Sequence, residues 1–143
     1  MSALAIEGYA SLWWKKDFGD DVVAPGAFDA AADRPAARVK MLHQHDAAVP
    51  VGVWDEVRPD ARGLYVRGRI LPEAPVARMC AALVRAGALD GLSIGFRTLR
   101  ARADPGARLR VLEAVDLWEV SLVTFPMLRE ARLNLIPDPK ERT

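Results

Sequence analysis

A chain of 143 residues, 51% apolar and 27% charged, has the material for one domain with a packed core. Its formal net charge of +1 creates no global field for nucleic acid or an anionic membrane, so neither is an expected partner. The single cysteine, Cys80, excludes an intrachain disulfide. No apolar run reaches the roughly 18 residues a membrane-spanning helix needs. Met1 to Tyr9 carries Glu7 and lacks the basic and apolar regions of a signal peptide, so a soluble intracellular protein is expected.

Taken in chain order, Leu4 to Leu12 alternates partially and predicts a strand that runs into Trp13 and Trp14. Pro25 suits a helix start, and a short helix is expected around Gly26 to Ala32. Short strands are expected over Arg38 to His43 and Val51 to Arg58, and a period-two strand over Gly63 to Ile70. After Pro72 the period changes. Val76, Met79, Cys80, Leu83 and Val84 recur at three and four, predicting an amphipathic helix from Pro75 to Ala86 with Gly87 as its stop. Leu92 to Ala103 reads as a long strand, Asp104-Pro-Gly106 as a turn, Leu109 to Leu112 as the returning partner, and Leu117 to Phe125 as a further strand. The polar, proline-broken segment 137–143 is expected to fray as a flexible tail, leaving a domain over 1–136. Six or seven strands and one firm helix predict a β-rich α+β fold, a compact antiparallel barrel with helices around it.

Three places carry polar chemistry. His43 and His45, the two histidines of the chain, would point to one side if their segment is extended. Histidine moves protons near neutral pH, although from spacing alone two ordinary strand or loop residues are the commoner reading. Ser93 sits in Gly91-Leu-Ser-Ile-Gly95, which matches the string of the nucleophile elbow. That elbow needs a strand–turn–helix, whereas the sequence after Ser93 stays strand-like, so the α/β-hydrolase reading is rejected. Small flanking residues are expected to leave room for a substrate backbone. Glu119 and Ser121 share one face of Leu117 to Phe125, opposite Trp118, Val120 and Leu122. Glu119 is either a solvent-facing carboxylate or the acid that fixes the tautomer of His45.

With these residues in hand, the chain resembles the caudovirus prohead proteases, the maturation proteases of tailed phages and related gene transfer agents. The matching stretches are Gly8-Tyr-Ala-Ser11, Asp21 to Phe28, Leu42-His-Gln-His-Asp46, Pro50-Val-Gly52, Gly63-Leu64, Leu89 to Phe96 and Leu117 to Pro126. In order and spacing they span roughly residues 7–135. The resemblance implies a barrel like that of the herpesvirus assemblins and a serine endopeptidase with Ser93 as nucleophile, His45 as base and Glu119 as third member. It calls for no cofactor. It also implies capsid protein and its scaffold region as substrates, cut inside the procapsid in the host cytoplasm. A homodimer through the Pro75 to Ala86 helix is implied as well. His43, where the family often has an aromatic residue, reads as a wall residue; Arg129 and Arg132 read first as surface arginines, with oxyanion stabilisation from arginine-bearing backbone there as the alternative the resemblance implies. Two rivals stand beside this reading: an inactive assembly or scaffold protein with the same fold, and a metal-dependent barrel enzyme using His43, His45 and Glu119.

Overall fold

Strand β1, Leu4–Leu12, buries alternate residues and occupies the predicted span. A computed structural model describes residues 2–137, so the expected tail lies, apart from Pro137, outside the described residues. The described residues form β2 (Asp21–Val23), α1 (Asp29–Ala32), β3 (Lys40–His43), β4 (Asp46–Pro59), β5 (Gly63–Ile70), α2 (Pro75–Arg85), β6 (Gly91–Asp104), β7 (Leu109–Val123) and β8 (Leu133–Leu135). A 3-10 turn over Ala36–Arg38 occupies the first residue of the strand expected from Arg38.

The strands form one curled sheet in the order β2-β7-β3-β4-β5-β1-β8, with β6 also paired to β7. Most pairings are antiparallel, but β2 and β3 both run parallel to β7, against Arg110–Leu112 and Glu119–Leu122 respectively. The curl brings the two margins together. Gly91 at the start of β6 bridges Arg132 beside β8, and the Leu92 and Leu133 amides donate to the Ala131 and Asp90 carbonyls. The sheet thus closes on itself through a short stretch of backbone at the start of β6.

Its interior is apolar. Trp54, Phe28, Ile6, Met41, Leu64, Ile70, Leu92 and Leu117 are all fully buried. The indole of Trp54 donates to the Val120 carbonyl, satisfying its buried N–H.

Three features depart from the sequence reading. The two strands expected after the Asp104 turn are one, because β7 runs unbroken through Glu113 to Asp116 against β6. In α2 the buried stripe is Ala77, Cys80, Ala81 and Val84, with Val76, Met79 and Leu83 on its exposed margin. Alanines at 77 and 81 let the helix lie close on the sheet, so the small residues face inward and the larger apolar ones flank them. Cys80 is buried here, and desolvation pushes its thiol above the ordinary range. The helix then ends as expected: Gly87 has φ of +80° and the Ala88 and Gly87 amides cap the Leu83 and Val84 carbonyls.

The third departure lies in β7. The β6–β7 register pairs Gly95 with Glu119 and then Phe96 with Leu117, leaving Trp118 in a bulge. Leu117 therefore joins Val120 and Leu122 in the interior, while Trp118 is exposed and donates to Asp116. The alternation expected from the sequence, with Trp118 inward, is shifted by one residue at this point.

Candidate active site

The β3–β4 turn, the start of β6 and the middle of β7 meet at one end of the sheet. The turn consists of Gln44 and His45, both with positive φ (51° and 61°), between the paired residues His43 and Asp46. Left-handed backbone costs about 1–2 kcal/mol at each non-glycine residue. Three groups of hydrogen bonds hold the turn in place. The Gln44 amide donates to the Leu122 carbonyl, its side chain exchanges bonds with Thr124, and the His45 amide donates to Ser121 Oγ. This turn corrects the expectation of two histidines side by side on an extended strand. His43 closes β3, and His45 is carried out of the strand.

The displaced imidazole reaches the other two candidates. His45 Nε2 lies 2.9 Å from Ser93 Oγ, and His45 Nδ1 lies 2.8 Å from Glu119 Oε2. With Glu119 ionised, Nδ1 carries the ring proton and donates it, so Nε2 is free to accept from the Ser93 hydroxyl. The hydrogen bond to Glu119 is the largest influence raising the His45 pKa above 6.5, opposed in part by desolvation. Ser93 is 5% exposed and Glu119 is largely covered, whereas the imidazole is partly open to solvent.

Both glycines around Ser93 have packing roles. A Cβ on Gly95 would stand 2.6 Å from the Glu119 side chain, and one on Gly91 would stand 2.7 Å from the Val123 carbonyl. Gly95 thus makes room for the carboxylate, where substrate backbone had been expected. On its other side Ser93 borders a cavity of about 30 Å³ that Ser11, Lys15, Asp17 and Leu128 also line. Of these, only Ser11 lies in a stretch that carried the family resemblance, and no sequence signal singled out Lys15, Asp17 or Leu128. Desolvation raises the Asp17 carboxyl pKa. The side chains of Arg129 and Arg132 are engaged at the surface: Arg132 bonds Asp90 and the Arg129 carbonyl, and Arg129 lies over the Phe18 ring.

The metal reading fails on donor geometry. Both His45 ring nitrogens are engaged within the protein, and among the described residues no three His, Cys, Asp or Glu side chains converge as a ligand set.

A curled sheet of this kind is found in viral proteases of known structure. The KSHV protease solved with a hexapeptide phosphonate inhibitor superposes with a TM-score of 0.67 at 13% identity, covering 96% of this chain and 66% of its own. The capsid assembly protease of bacteriophage T4 does so with a TM-score of 0.65 at 16% identity, covering 85% and 82%. At these identities the likeness defines the fold class, the assemblin-like barrel. In sequence, the chain is 34% identical over 127 residues to the prohead protease of Enterobacteria phage HK97, covering 87% of this chain and 56% of that protein. It is 29% identical over 132 residues to the prohead protease of Escherichia phage T5, covering 91% and 61%. The chain belongs to the caudovirus prohead serine protease family, whose sequence profile matches residues 1–141. It spans about three fifths of the length of these two relatives.

Proposed function

We propose that the chain is a serine endopeptidase that cuts capsid-protein precursor, including its scaffold region, during procapsid maturation. The hydrogen-bonded series Ser93–His45–Glu119 carries this reading. His45 Nε2 takes the Ser93 proton as Oγ attacks a peptide carbonyl. A tetrahedral intermediate forms, the imidazolium protonates the departing amine, and water then hydrolyses the acyl-enzyme by the same route. Glu119 holds the Nδ1–H tautomer and stabilises the imidazolium as it forms. The work takes place inside an assembling procapsid in the host cell, as family membership suggests.

Co-expression with the neighbouring capsid-protein gene tests the proposal. Wild-type protein is expected to give a shortened capsid protein, and Ser93→Ala is expected to give none while keeping its thermal transition. Continued cleavage by the alanine variant would overturn the assignment of the nucleophile. Absence of cleavage by wild-type protein would favour a non-enzymatic assembly role.

A further inference from the structure

Ser121 is fully buried in β7, directly across from Ser93 in the β6–β7 register and from Leu42 in the β3–β7 register. Its hydroxyl has one proton to give and lone pairs to receive. The proton goes to Glu119 Oε1 at 2.5 Å, and a lone pair accepts the backbone N–H of His45 at 3.0 Å. The other carboxylate oxygen, Oε2, accepts from His45 Nδ1. The four groups therefore form a closed ring: His45 main chain, Ser121 hydroxyl, Glu119 carboxylate, His45 imidazole.

We infer that Ser121 is a positioning residue, one hydroxyl that aims the Glu119 carboxylate at Nδ1 and anchors the left-handed backbone of His45. The inference rests on the proposed roles of Ser93, His45 and Glu119, and adds a residue to which the sequence assigned none. A glutamate side chain has several rotatable bonds, and one hydrogen bond to an imidazole does not fix its carboxylate plane. A second bond to a buried, strand-borne hydroxyl does. The same hydroxyl satisfies an amide of a turn whose two residues both have positive φ. Removing it frees both ends of the imidazole's support without deleting any of the three triad side chains. Misplacement of a catalytic group by about 1 Å costs on the order of 10²-fold in rate.

The test uses purified protein and a peptide spanning the junction mapped in the co-expression experiment. Ser121→Ala is expected to lower kcat about 10- to 100-fold, the range such misplacement produces, with little change in KM. In ¹⁵N-histidine-labelled protein, with His45 assigned by difference against His43→Gln, wild type is expected to hold one Nδ1–H tautomer. Ser121→Ala is expected to show a mixture. Ser121→Thr and Ser121→Val have the same shape and differ in the hydroxyl, so they carry the comparison if the alanine variant does not fold: Thr retains turnover and the single tautomer, and Val loses both. Unchanged kcat in Ser121→Ala with a lowered melting temperature overturns the inference, leaving Ser121 as a satisfied core hydroxyl. So does a single tautomer in a slowed variant, or equal turnover by Thr and Val. Cleavage by Ser93→Ala is a separate result, which removes the triad itself.

Discussion

Glu119 can lie against His45 because residue 95 has no side chain. An alanine there would drive its methyl to 2.6 Å from the carboxylate carbon, and the neighbouring chain is a paired strand that cannot retreat. Gly95→Ala is expected to displace Glu119 and lower kcat by about 10²-fold while the protein still folds, read from peptide turnover alongside circular dichroism. The pH dependence follows from the same carboxylate. In the proposed mechanism His45 must be neutral to accept the Ser93 proton, and its pKa stands above 6.5 chiefly through the bond to Glu119. The acidic limb of kcat/KM is therefore expected to have its midpoint above 6.5, with activity rising as pH rises through it. Glu119→Gln removes the ion-pair partner, so the His45 midpoint should fall, which NMR titration of the labelled ring measures directly. The stability linkage has the opposite sign: a raised histidine pKa stabilises the fold fully below its unfolded value and loses that contribution as pH rises through the folded value.

Among the elements, β7 holds most of the site's geometry, and its bulge decides which residues do so. Without the bulge at Trp118, Leu117 would leave the core and the phase of the strand relative to β6 would change. Leu117→Ala is expected to cost about 2–5 kcal/mol by opening a cavity in the core. Trp118→Ala, despite the larger side chain removed, is expected to lie within about 0.5 kcal/mol of wild type, since the indole is exposed. Denaturant titration of both variants separates the two registers, because the alternating pattern read from the sequence predicts the reverse order. The β3–β4 turn shows a related conflict. Glycine would adopt the left-handed backbone of Gln44 and His45 at no steric cost, yet a glycine at 45 would remove the imidazole, so bonds from β7 hold these residues instead.

At the scale of the molecule, the site depends on the sheet's closure. Leu92, adjacent to Ser93, donates its amide to Ala131, and Leu133 donates to Asp90, so the segment before β8 latches the start of β6. The Asp90–Arg132 ion pair spans the same seam, but both side chains are substantially exposed. Asp90→Asn is accordingly expected to change stability by less than about 1 kcal/mol. Leu133→Pro deletes the amide that bonds the Asp90 carbonyl and is expected to cost at least about 1–3 kcal/mol. It should also lower turnover at temperatures where the protein stays folded. Paired melting and activity measurements on the two variants check that the backbone seam, rather than the charge pair, keeps Ser93 in register.

Much of this was legible before any tertiary contact was known. Period-two runs marked β1 and β5, Pro75 and Gly87 bounded α2, and Ser93, His45 and Glu119 were local candidates that the chain-wide resemblance to the prohead proteases singled out together. These are local properties, written in side-chain spacing and backbone preference. The parallel pairing of β3 with β7, the short strands β2 and β8, and the bulge at Trp118 were not legible, since each exists only through partners distant in sequence. His45 and Ser93 are 48 residues apart, and His45 and Glu119 are 74 apart. The sequence determined which groups were available for proton transfer. The tertiary structure decided that a strained turn, rather than an extended strand, delivers the imidazole. It also decided that Gly95 is small for the sake of Glu119, and that Ser121 bonds both Glu119 and the His45 amide, because such distances are set by packing across strands and not along the chain.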